Sequence, residues 1–220
     1  MAQFDLGRDA AKFAGELSKL LNCTVCDGIR LSAVITNPGR VVIAYKIDKY
    51  DLDPTHGIPI TLGSKRPTGY LSLSFRLGTD AERQYLMVQS SFMGLFLDEH
   101  LDQPIMHYDY ERDKGDGYPE AHLQVCAESD AWDALSLLAR GDKRPLERLH
   151  FPVGGRRFRP TLEDLIDFLL AEGIADKRPG AEAVIEAGRE GFHHLQLRAM
   201  IRRNPGPAIQ ALRDFGQLPT

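Results

Sequence analysis

Residues 29–47 read IRLSAVITNPGRVVIAYKI, and this stretch decides the fold. Ile29, Leu31, Ala33 and Ile35 alternate with Arg30, Ser32 and Thr36. Val41, Ile43, Tyr45 and Ile47 then repeat the same period of two. Successive side chains of a strand leave opposite faces, so this pattern describes two half-buried strands. Between them stands Asn37-Pro38-Gly39-Arg40. Proline presets φ and glycine admits positive φ, which together make a tight reversal. An antiparallel hairpin follows.

Downstream the period of two persists. Leu71, Leu73, Phe75 and Leu77 point one way, and Ser72, Ser74 and Arg76 the other. Across a turn at Gly78-Thr79-Asp80, the pattern predicts Leu86, Val88, Phe92 and Phe96 facing the core, with Gly94 marking a bulge or a close backbone approach. A third pair is predicted at Ile105–Arg112 and Ala121–Ala127, around Lys114-Gly115-Asp116-Gly117. The segment from Asp51 to Thr68, with Pro54, Pro59 and Pro67, reads as an irregular connection.

Helices flank this block. Phe13, Leu17, Leu20 and Leu21 form one stripe of a helix expected from about Asp9, its cap, to Leu21, with Asn22 ending it. Ser129 caps a short helix expected to anchor on the sheet through Trp132, Leu135 and Leu138 or Ala139. Thr161 with Asp164 resembles a capping box, and Gly173 closes that helix. A longer helix is expected over 181–203, stopped by Asn204-Pro205-Gly206-Pro207, with a last one around Ile209, Leu212 and Phe215. Strands first and helices last imply an α+β fold: an antiparallel meander of about six strands with an N-terminal helix and a C-terminal helical group. Residues 1–173 are expected to form the sheet domain and 174–220 a helical extension packed on it.

The net charge of −4 gives no global attraction to nucleic acid or acidic membranes. No apolar run approaches the roughly 20 residues of a membrane span. The N-terminus, with Asp5, Asp9 and Glu16, lacks a signal-peptide pattern, so the expectation is a cytoplasmic protein without a membrane partner. Abundant arginine, alanine, glycine and proline suit a bacterial chain. Cys23, Cys26 and Cys126 are an odd number and make no disulfide framework. Cys23-Thr-Val-Cys26 lacks the further ligands of a zinc site and the strand-to-helix setting of a redox pair.

Charge is segregated locally. From Asp98 to Asp133, eleven carboxylates face two bases, a balance of −9; from Arg140 to Arg159, seven bases face two acids, a balance of +5. In the acidic part, His107, Asp109 and Glu111 alternate along one strand and so share a face, with Tyr108 and Tyr110 turned to the core. His122 and Gln124 share a face of the next strand. If register unites these faces, His107, Asp109, Glu111 and His122 suit a divalent metal of unspecified identity or general acid–base work. In the basic part, Gly154-Gly155-Arg156-Arg157-Phe158-Arg159 runs into the Thr161 helix start. Backbone N–H groups there and the guanidinium forks of Arg156, Arg157 and Arg159 suit an anion. The Gly-Lys-Ser/Thr ending of a phosphate-binding Walker loop is missing.

Two functions follow as expectations. The first is a protein that handles a phosphorylated ligand, nucleotide or nucleic acid by metal-assisted or acid–base hydrolysis, in the manner of a nuclease-like toxin or defence factor. The alternative is a non-catalytic interaction or regulatory protein whose paired acidic and basic patches meet a protein partner or another copy of itself.

Overall fold

The computed structural model describes residues 4–37, 39–61, 66–115, 117–140, 142 and 145–218. Pro38 and Asp116 of the expected turns, and Lys143 and Arg144 of the basic segment, lie outside them, as do the side chains of Arg156 and Arg157.

Helix α1 (Leu6–Thr24) leads into β1 (Leu31–Asn37) and β2 (Arg40–Tyr45), the hairpin read from the alternation. Then come β3 (Ile58–Thr61), β4 (Pro67–Thr79), β5 (Leu86–Phe96), β6 (Pro104–Glu111) and β7 (Ala121–Val125). After α2 (Asp130–Arg140) and a 3-10 turn at Leu146–Arg148 comes β8 (Phe151–Pro152). Helices α3 (Gly155–Phe158), α4 (Leu162–Ala171), α5 (Ala181–Arg203) and α6 (Pro205–Asp214) complete the chain. The sheet is antiparallel in the order β1-β2-β4-β5-β6-β7-β8, with β3 also paired to β4. The fold is α+β, as the periodicity implies, with two more strands than expected.

Strand β3 lies inside the segment expected to be irregular. Ile58 and Ile60 are fully buried, and Pro59 sits between them on a strand paired on one side only. A proline is tolerated there because its missing N–H faces no second partner. Thirteen-residue β4 therefore has two short strands laid end to end along one side, β2 beside Ser74–Leu77 and β3 beside Pro67–Leu71.

The core occupies one face of the sheet. Leu71, Leu73, Phe75 and Leu77 of β4 and Met93 and Leu95 of β5 pack with the stripes of α1 and α4. Leu165, Ile166 and Leu169 of α4 are fully buried, and Ile185 of α5 joins them. Two helix ends differ from expectation. Asp5, not Asp9, caps α1, accepting from the Arg8 backbone N–H at 2.7 Å. Asn22 does not end that helix; its side chain pairs both ways with the Ile29 backbone and ties helix to sheet.

Helix α4 starts as its sequence indicates. The Asp164 carboxylate accepts from the Thr161 backbone N–H at 2.7 Å. Helix α2 begins beside Ser129, and of its expected anchors only Trp132 is partly covered. Trp132 and Ser136 turn inward, whereas Leu135 and Leu138 are 55% and 86% exposed.

Candidate functional site on the open sheet face

The sheet face away from α1 and α4 carries no helix of its core cluster. At the β1–β2 end it is covered by Val42, Ala44 and Ile47 with Val34 and Leu52. Along β4–β7 it becomes a groove of about 530 Å³, whose lining includes Ser72, Ser74, Arg76, Ser90, Phe92 and Phe96. Small-molecule sites span about 300–1,000 Å³.

Register explains the composition of this groove. Arg76 pairs with Ser90 but Leu77 with Val88, so Gln89 is an extra residue in β5. A bulge of one residue reverses every later side chain. Phe92 and Phe96, expected in the core, therefore stand on the open face, and Met93 and Leu95 take their place inside. Gly94 lies between the two rings. A β-carbon there would come within 2.8 Å of Phe96 and 2.9 Å of Phe92, so this glycine serves close packing of side chains. The turn after β4 also comes later than expected: Asp80 gathers the Gln84 and Tyr85 backbone N–H groups, while Gly78 and Thr79 remain in the strand.

Three of the four acid–base candidates meet at one point. Gly94 pairs with His107, His107 with Gln124, Phe92 with Asp109, and Asp109 with His122. One Asp109 carboxylate oxygen, Oδ2, lies 3.5 Å from His107 Nε2 and 3.7 Å from His122 Nε2. Glu111, two residues on, also lines the groove but pairs with Lys114 at 3.5 Å.

The tautomer of His107 follows from its neighbours. Gln124 donates its amide N–H to the Glu147 carbonyl at 2.7 Å, which turns the amide oxygen toward His107 at 2.9 Å. That oxygen only accepts, so His107 Nε2 carries a proton. Burial works against charge on this ring. Hydrogen bonds to Asp109 and Gln124, with the Asp109 charge, outweigh it and hold the His107 pKa above the ordinary 6.5. The ring also packs on Phe92, with centroids 5.0 Å apart.

His122 is 3% exposed, and its Nδ1 has no hydrogen-bond partner among the described residues. His150, which the sequence did not single out, sets its ring edge-on to His122 at 4.5 Å and packs on Tyr118 at 4.5 Å. It arrives there because β8 pairs Pro152 with His122.

Among the described residues, no group of three His, Cys, Asp or Glu side chains is arranged to hold a metal ion. The cluster as placed suits proton transfer: an imidazole with raised basicity, a carboxylate between two rings, and a second imidazole with an uncommitted nitrogen.

The arginine segment lies elsewhere. Tyr110 follows Asp109 and so turns to the opposite face, where the Arg159 guanidinium stacks 4.4 Å from its ring centre and 5.4 Å from that of Phe192. Gly154 has φ +47°, and a β-carbon on it would strike the Phe158 carbonyl, so the turn into α3 demands glycine. At the start of α4, Asp164 supplies the negative charge that an anion would bring, and Arg189 bridges Asp164 and Asp167 at 2.9 Å each.

No helix among the described residues is long and apolar enough to cross a membrane. Compared with protein-family models, with curated proteins and with solved structures, the chain matches none.

Proposed function

We propose that the open-face groove binds a phosphorylated ligand of nucleotide size and hydrolyses it by acid–base chemistry. The carrying observation is the Asp109 carboxylate set between His107 and His122 in the β5–β7 part of the open face. Phe92 and Phe96 offer an aromatic wall for a planar group. Ser72, Ser74 and Ser90 offer hydroxyls to a sugar, and Arg76 and Lys114 offer charge to phosphoryl oxygens. His107, whose pKa is held above its ordinary value by Asp109 and Gln124, donates a proton to the leaving oxygen as that oxygen's bond to phosphorus breaks. Asp109, which lines the groove, takes a proton from the attacking water as the water oxygen bonds to phosphorus, and His122, with Nε2 3.7 Å from that carboxylate, steadies it. Arg159 lies across the sheet and takes no part in this groove.

The test uses nitrophenyl phosphate mono- and diesters and ribonucleoside triphosphates with purified protein. Asp109→Asn and His122→Asn, checked for folding by circular dichroism, should each lower turnover roughly 100-fold. A wild-type protein that neither turns over these compounds nor gains thermal stability from nucleotides refutes the proposal.

A further inference from the structure

Two apolar surfaces, one on α2 and one on the distal part of α5 with α6, are left exposed among the described residues. On α2, Ala131, Ala134, Leu135 and Leu138 fall at i, i+3, i+4 and i+7, and all are exposed. That spacing makes one apolar stripe, which in water calls for a partner. Among the described residues α2 has no extended packing against another helix. The second surface is the distal part of α5 with α6. Met200 and Ile201 are exposed there, as are Leu212 and Phe215, the last at 80%.

The two surfaces are opposite in charge. Glu128 and Asp130 flank the start of α2, and neither makes an ion pair among the described residues. Arg198 and Arg203 flank the α5 stripe, equally without an ion pair there.

We infer that the protein forms a two-fold dimer in which α2 of one copy lies against the α5–α6 surface of the other. Each copy carries both halves of the match, so a two-fold axis satisfies both contacts at once and leaves no open end for a filament. Repetition of the helix contact moves the covered area toward the roughly 800 Å² per partner typical of a stable interface. Apolar stripes supply the attraction, and the flanking charges fix which helix meets which. This inference is independent of what the groove binds.

Sedimentation across a wide range of protein concentration tests it. The wild type should reach twice the 24.6 kDa chain mass. Leu138→Glu and Phe215→Glu should each weaken the dimer at least roughly tenfold, since at 86% and 80% exposure they are the most exposed large apolar side chains of the two surfaces. Charge reversal gives the sharper result. A chain with Arg198→Glu and Arg203→Glu has two acidic surfaces, and one with Glu128→Arg and Asp130→Arg has two basic ones. Each alone should be monomeric, and an equal mixture should restore the dimer. None of the four side chains is buried, so folding is preserved, as circular dichroism will verify. A wild type that stays monomeric at every concentration overturns the inference, including one that binds anionic vesicles through α5–α6 instead. A dimer indifferent to these changes, or a mixture that stays monomeric, overturns it equally.

Discussion

Gly94→Ala probes the packing under the site with one methyl group. The new β-carbon would lie 2.8 Å from a Phe96 ring carbon and 2.9 and 3.0 Å from two of Phe92, well inside van der Waals contact. Phe92 is half-buried and can swing outward; Phe96 is 7% exposed and has little room. The strain should therefore fall in the lower part of the overpacking range, about 1–2 kcal/mol. For a chain of this size that lowers Tm by roughly 2–8 °C. Because Phe92 packs on His107, its movement should also shift the His107 titration, readable from its imidazole proton resonance. Calorimetry of Gly94→Ala, Phe92→Leu and the double variant isolates the clash, and the double variant should recover part of the loss. An unchanged Tm together with an unchanged His107 titration would refute this account of the groove wall.

Two further outcomes follow from the titrations. The His107 pKa is raised on folding, so its contribution to stability is full below the ordinary 6.5 and is lost as pH rises through the folded value. Urea midpoints measured from mildly acidic to mildly alkaline pH should show that loss in the wild type and a flatter profile in Asp109→Asn; identical profiles would contradict the assigned contact. Burial pushes the Cys26 thiol up to about 12, so at mildly alkaline pH iodoacetamide should label it only in denaturant. Mass-mapped labelling of Cys26 in the native protein at the rate seen for half-buried Cys23 would contradict its burial.

The sheet was legible because alternation is a backbone property. A strand buried on one face declares itself in any window where the period holds, as Val41–Tyr45 and Leu71–Leu77 do. What escaped was each feature that depends on a partner. Strand β3 is short and broken by Pro59, and β8 is two residues long; neither offers enough alternation to read. The bulge at Gln89 exists only relative to β4, and it carried Phe92 and Phe96 to the wrong face in the sequence reading. His107 and Asp109 were legible as neighbours on one face. Their meeting with His122 needed the β6–β7 register, and the arrival of His150 needed β8. Helix α2 fails in an instructive way: an apolar stripe tells which side of a helix wants covering, and it says nothing of whether the same chain covers it.

The order of assembly is written into the helix layer. Strands β4 to β7 pair with sequence neighbours, so their hairpins close over short loops and can form early. By contrast, Arg178 reaches back to the Asn22 carbonyl, a separation of 156 residues, and its backbone N–H bonds to the Thr24 carbonyl. Leu165, Ile166 and Leu169, which seal the core beside α1, also come late. On the ribosome the emerging chain therefore holds a paired sheet with an incompletely roofed apolar face until residues beyond 160 are made. That interval is when the apolar face of this sheet is most open to aggregation and to chaperones.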